Sequence, residues 1–423
     1  MGSPWTPLCY PDSIRLLQVP DKDNSTPPSP LHFKLITTRL SSPARPQYQA
    51  LSYAWGQDAM THTIKINGID VSVRQNLWDF LRHAIYGGIG NLDIWGRYIW
   101  IDALCIVQTD LEEKAHQVLQ MGEIFETAKS VIVWLGPDEH DNDEEQDDDR
   151  HRPPEPKTDM SLRFARASYL PYWKRLWIVQ ELLLAQELVI CYGKRTLQVH
   201  MIWDGSIDSD NEWNKPSAFL SRGERCCRIM RQKWLAQQAV VSDSKEHITQ
   251  NIPQWNRDSD ILQMSIDYSL NECSVILDKV YALINIVNRQ ARIPLQVDYT
   301  IDEVMLFYRT LSCVKKVHFN RANYLRRALK ITEDRMVKRT CELLRAGMLS
   351  EIKIGACFVF EGRVEHNWRV SKRHNLQNLS VVHDHWILHS GSVEPEDLVI
   401  RFTHTSSLYL IFPNDVQNRV GSR

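Results

Sequence analysis

The segment from Tyr98 to Pro137, YIWIDALCIVQTDLEEKAHQVLQMGEIFETAKSVIVWLGP, constrains the fold most, because it reads as one complete strand–helix–strand unit. Tyr98 to Ile101 is an aromatic and β-branched run of strand length, and Ser130 to Leu135 is a second. Thr109 followed by Glu112 makes a capping box that starts a helix near Asp110, and Leu111, Ala115, Val118, Gly122, Phe125 and Ala128 then share one face. Two apolar strands joined through an amphipathic helix form a βαβ crossover, which predicts a parallel sheet. Ligands of open α/β folds bind beyond the carboxyl ends of such strands, here Asp102 to Cys105 and Gly136-Pro137. Asp102 is the residue a site there would use; an aspartate at that point equally serves to tie its own loop by local hydrogen bonds.

Upstream, Ile14 to Val19 and Leu31 to Thr38 read as strands on either side of a Pro/Ser/Asp loop, Pro20 to Pro30. Tyr48 to Trp55 is a third strand ending in Gly56, and its exit, Ser52 to Gly56, lies beside Asp102 if the two strands are neighbours. Thr63 to Ile66, Asn67-Gly68 and Ile69 to Val73 predict a β-hairpin on a two-residue turn. Asn76 then caps a helix carrying Leu77, Phe80, Leu81, Ala84 and Ile85, closed by the glycines of Gly87 to Gly90, which lack phosphate-loop spacing and read as a turn. Downstream, residues 138–157 form an acidic, proline-flanked insertion that repels itself and reads as disordered; the glycine and bidentate Glu of a calcium loop are missing.

Trp173 to Gln186 predicts a helix burying Trp173, Leu176, Trp177, Val179, Leu183 and Leu184, followed by a strand from Glu187 to Tyr192. Trp177 and Glu181 stand one turn apart on the same side of it. A carboxylate beside an indole on an apolar face must be paired, protonated or exposed at an edge, and Arg175 or Lys174 is the partner within reach.

Composition excludes several classes. A net charge of -2 over 423 residues leaves no electrostatic footprint for a general nucleic-acid binder. Nine cysteines without a C-x-x-C suit reduced thiols in a cytoplasmic setting, and no apolar run approaches the roughly 20 residues of a membrane span. Neither a metal site nor a required cofactor is expected, since Cys226-Cys227 lack companions at zinc spacing. Cys105, His116 and Asp102 can be drawn as a nucleophile triad, but Cys105 reads as a small packed residue. Met1 to Thr6 fits the loose N-myristoylation pattern, against which Pro4 and Trp5 argue.

Three blocks, YQALSYAWG at Tyr48 to Gly56, the stretch from Trp100 to Gly136, and RLWIVQELLLA at Arg175 to Ala185, resemble in order and spacing the motifs of the fungal heterokaryon incompatibility (HET) domain. DKVYALINIV and VDYT, between Asp278 and Thr300, resemble the segment that often follows it. Val107, Lys114 and Phe125 depart from the family's usual Asn, Arg and Tyr. The domain is similar in turn to Toll/interleukin-1 receptor (TIR) domains, through ALSYAWG and RLWIVQEL.

The resemblance implies a TIR-like α/β fold with an open, mainly parallel sheet, flanking helices and an inserted β-hairpin. It implies a role in non-self recognition and regulated cell death, worked by self-association or protein partners. In TIR domains that cleave NAD the glutamate of the second motif is catalytic, which carried over is Glu181. NAD would then be the substrate, with Ser52, Tyr53, Trp55, Gly56, Asp102, Cys105 and Trp177 lining its pocket. The expected organisation is N-terminal strands over 1–47, the HET domain over 48–195, a helical region over 196–350 and a small β-rich piece over 351–423. In the helical region Asp260 to Leu270, Ile276 to Asn288 and Thr300 to Val317 read as amphipathic helices, the last opened by a Thr300–Glu303 capping box, and Asn320 to Arg345 as a basic helical tract. In the end piece Ala356 to Phe360 and Ser407 to Phe412 read as short strands.

Overall fold

The computed structural model describes residues 3–20, 31–56, 59–86, 97–138, 167, 170–197, 260–287, 295–314, 319–346 and 348, with the strand backbones of 358–363, 371–372, 379–382, 385–389, 398–402 and 408–412. The chain divides into two compact units, Met1–Asn256 and Arg257–Arg423. The glycine turn at 87–90, the acidic insertion beyond Asp138, Cys226-Cys227 and the loop at 21–30 lie outside the described residues.

The first unit is built on a nine-stranded sheet. In chain order the strands are β1 (Ser13–Gln18), β2 (Leu31–Arg39), β3 (Gln49–Tyr53), β4 (His62–Ile66), β5 (Ile69–Val73), β6 (Tyr98–Trp100), β7 (Val131–Trp134), β8 (Leu188–Tyr192) and β9 (Arg195–Leu197). They lie in the order β5-β4-β2-β1-β6-β3-β7-β8-β9. The expected βαβ crossover is present, but β3 is inserted between its two strands and runs parallel to both. The sheet is open and mixed: β6, β3, β7 and β8 form a parallel centre and β2–β4 is parallel, whereas β1–β2, β1–β6, β4–β5 and β8–β9 are antiparallel. Connection length dictates the antiparallel pairs β4–β5 and β8–β9, where a two-residue turn reverses the chain and no crossover is possible. The first of these is the expected hairpin, with Asn67 and Gly68 at φ 51° and 82°, both in the left-handed region that such a turn requires.

Both faces of the parallel centre are covered. Register sets Ala50 beside Trp100 and Tyr53 beside Trp134, on opposite faces of the sheet. Helix α1 (Gln75–Tyr86) covers the second face, where Phe80 meets Trp134 edge-on at 5.8 Å. After the one-turn helix α2 (Asp102–Cys105), helix α3 (Leu111–Thr127) covers the first, with Phe125 edge-on to Trp100 at 5.5 Å. Its cap is Asp110, whose side chain accepts the amides of Glu112 and Glu113, not Thr109. Its buried stripe is Val118, Met121, Gly122, Ile124, Phe125 and Ala128; Leu111, expected on that stripe, is 48% exposed.

The segment from Trp173 to Gln186 is not one helix. Pro171–Lys174 forms a 3-10 turn, Arg175 is extended at ψ 141°, and α4 (Ile178–Leu184) begins after it. Tertiary contact accompanies the break: the Arg175 guanidinium donates to the Tyr53 carbonyl. The seven-residue α4 is buried over most of its circumference, including Gln180 and Glu181.

The second unit contains α5 (Ile261–Asp267), α6 (Asp278–Val287), α7 (Glu303–Ser312), α8 (Phe319–Ala328) and α9 (Glu333–Arg345), then a six-stranded sheet. Helix α7 is capped by Asp302, which accepts the Met305 amide, in place of Thr300. The basic tract from Asn320 is two helices, separated where Lys330 adopts φ 54°. The runs at 358–363 and 408–412 are strands of that sheet.

Candidate functional site

Where the parallel strands finish, two carboxylates from different elements meet polar partners. Ser52 is the penultimate residue of β3, and its hydroxyl projects from the α3-covered face toward α4. There it donates to Oε2 of Glu181, and its oxygen is 2.6 Å from the hydroxyl of Tyr172 in the 3-10 turn. The Arg175 guanidinium lies 3.8 Å from the same Oε2. Glu181 is 2% exposed. Burial pushes its carboxyl up to about 7, and the Asp102 charge adds to this; Arg175 and the Ser52 hydroxyl oppose it. The carboxylate is thus paired and internal, and of the arrangements open to it the edge-exposed one is ruled out.

Asp102 stands on the neighbouring strand exit. Its Oδ2 accepts the indole N–H of Trp55 at 2.9 Å, and its Oδ1 accepts the amide of Ala103 at 2.7 Å. Asp102 therefore ties its own loop, as the local reading expects, and also reaches across to the β3 exit. Burial raises its pKa, offset by Arg175 and the Trp55 hydrogen bond. Tyr53 is buried with its phenol raised by desolvation and by the Asp102 charge; its carbonyl takes the Arg175 guanidinium. Gly56, at φ 75°, turns the chain away, and its carbonyl accepts from Arg74.

The structure thus joins Ser52, Tyr53 and Glu181 to Arg175 and Trp55 to Asp102, whereas the partner of Gly56 is Arg74. Trp177 is the residue before α4, half-buried, with its carbonyl accepting the Glu181 amide at 3.3 Å. Cys105 is placed elsewhere. Its sulfur is buried and accepts the Ile101 amide, its carbonyl accepts from Arg15 under β1, and burial pushes its thiol up to about 12. That is the reverse of an activated nucleophile, and His116 is hydrogen-bonded to Gln120.

Sequence reasoning missed two members. Tyr172 sits in a turn that reads in the sequence as the approach to a helix. Asn76 is not a helix cap; its amide bridges the Ala54 carbonyl at 2.6 Å and the Trp134 indole at 2.9 Å, fixing the β3 exit against β7. An isolated Asn ahead of an apolar helix face reads as a cap, and only packing shows otherwise.

Residues 48–181 match the family model described as heterokaryon incompatibility protein (HET). The chain is also similar to heterokaryon incompatibility protein 6, OR allele, of Neurospora crassa: 35% identical over 119 residues, which are 25% of this chain. The match spans only 16% of that relative's length. No solved structure matches the chain.

Proposed function

We propose that the chain acts in fungal non-self recognition of the heterokaryon incompatibility type, leading to regulated cell death in the cytoplasm. Its first unit works by self-association or contacts with protein partners. The observation that carries the contact reading is the state of Glu181: 2% exposed, with its carboxylate held by Ser52 and Arg175. So enclosed a carboxylate is a packing latch between β3 and α4. The likeness to the incompatibility proteins over 48–181 supplies the process.

A second reading is favoured by the same carboxylate's pKa of about 7 and its place at the ends of the parallel strands. In it the domain is TIR-like and cleaves NAD, its Glu181 binding the nicotinamide ribose hydroxyls and stabilising the oxocarbenium-like state as the glycosidic bond breaks. Expression of the full chain in a fungal host, with growth followed alongside nicotinamide release by the purified chain at high concentration, separates the two. The contact reading expects growth arrest that Glu181→Gln leaves in place, with no nicotinamide formed. Release of nicotinamide that Glu181→Gln abolishes would replace it with the enzymatic one, and unimpaired growth of the wild-type host would remove the cell-death assignment.

A further inference from the structure

The nine-stranded sheet has two edges, and they are finished differently. β9 is three residues long, a poor template for another chain. β5 at the other edge is a full strand, Ile69 to Val73, paired to β4 without a register shift. Proline, lysine and bulges keep such an edge from pairing, and β5 has none of them. Its one charge, Asp70, is held by Lys65 of β4 at 2.6 Å. The ladders fix where its backbone points. The Asn67 amide donates to the Phe33 carbonyl of β2, so Thr63 and Lys65 also turn toward β2, while His62, Ile64 and Ile66 turn toward β5. Their partners Val73, Val71 and Ile69 engage β4. The N–H and C=O groups of Asp70 and Ser72 therefore point away from the sheet, and among the described residues none of them has a hydrogen-bond partner.

The side chains add an apolar incentive. Ile69, Val71 and Val73 share the face on which their partners Ile66 and Ile64 are buried. Val73 is buried opposite His62, which stacks on Trp78 of α1 at 4.9 Å. Ile69 and Val71, nearer the turn, stay partly exposed at the open edge.

We propose that β5 is the surface on which the chain self-associates, pairing antiparallel with β5 of a second copy about a two-fold axis through Val71. This rests on the self-association arm of the proposed function and names its surface. Pairing about that axis sets Ile69 opposite Val73, and Asp70 opposite Ser72, of the other copy. Apolar residues then meet apolar ones, no like charges are opposed, and the outward groups of Asp70 and Ser72 exchange about four hydrogen bonds. Parallel pairing in register would instead bring the two Asp70 carboxylates together. The strand ends leave room: the next residue, Arg74, falls beside Gly68 of the other copy, where nothing lies within 4 Å of the point at which a side chain would begin. Strands this short bury less than the roughly 1,200 Å² of a standard stable complex, so the dimer is weak and forms as local concentration rises.

Sedimentation velocity of the full chain over a concentration series reads the dimer. Ser72→Pro removes an outward N–H without touching the β4 ladder and is expected to abolish dimerisation. Ser72→Asp, opposed to Asp70 of the other copy, is expected to weaken it and Ser72→Lys to tighten it, each about fivefold. The Ser72 side chain is exposed, so the Asp and Lys variants retain the fold even where the proline variant does not. Opposite shifts by those two variants support the pairing. A wild type that stays monomeric throughout overturns it, as does a dimer on which the two variants act alike or not at all. Growth arrest of the fungal host by the full chain would leave the recognition reading standing in either case, and its absence would remove that reading without touching this surface.

Discussion

Replacing Glu181 by Gln distinguishes a carboxyl that is protonated near neutrality from one clamped permanently as an anion by Arg175. The folded carboxyl is pushed from its ordinary 4.5 to about 7. The folded state therefore holds its proton more tightly than the unfolded one, and stability falls as pH rises from about 4.5 to about 7, then levels off. At about 1.36 kcal/mol per pH unit that gap corresponds to about 3 kcal/mol lost by the wild type above neutrality. The amide introduced by Glu181→Gln has no proton to lose and still accepts from Ser52. Denaturant unfolding should find the two proteins within about 1 kcal/mol of each other near pH 5, with the variant the more stable, by up to about 3 kcal/mol, near pH 8. Only a side chain as enclosed as this one, 2% exposed, permits that conversion without a discount for solvent screening. A wild type more stable than Glu181→Gln at pH 8, or a difference independent of pH, would refute the reasoning, because either result means the Arg175 attraction outweighs desolvation.

Three other perturbations follow from the packing. Glu113→Ala should cost about 3 kcal/mol in denaturant unfolding, since it strands the buried Arg15, which Glu113 meets at 2.7 and 2.8 Å, and frees the Val107 amide; a loss below about 1 kcal/mol would contradict this. Asp110→Ala should destabilise by about 1 kcal/mol through loss of the cap on the Glu112 and Glu113 amides, whereas Thr109→Ala should be near neutral, as thermal unfolding would report. Lys330→Gly should stabilise the second unit by up to about 1 kcal/mol by relieving the left-handed backbone at φ 54°, and a lower midpoint would count against that account.

Much of the fold was legible because its signals are periodic and local. The Asn67-Gly68 hairpin, the crossover from β6 through α3 to β7 and the amphipathic α7 follow from short-range patterns. The neighbourhood was legible in part: strand ends set the Ser52 exit beside Asp102, while Glu181 was singled out as a site residue through the family resemblance. Illegible were features that arise when remote segments meet. Arg175, at the break in the expected helix, meets the Tyr53 carbonyl, and Asn76 leaves the cap role for Ala54 and Trp134. Cys105, adjacent to the site in sequence, turns into the core.

The sequence by itself determined that alternating apolar strands and an amphipathic crossover would put polar residues at one sheet edge, since side-chain period is a property of the backbone. Tertiary structure alone decided that β3 separates the two crossover strands and that Glu181 is enclosed with the Arg175 guanidinium and the Ser52 hydroxyl. Strand order depends on which remote apolar faces bury best together, and a carboxyl's proton affinity on the dielectric those faces create, and neither is a sum over neighbouring residues.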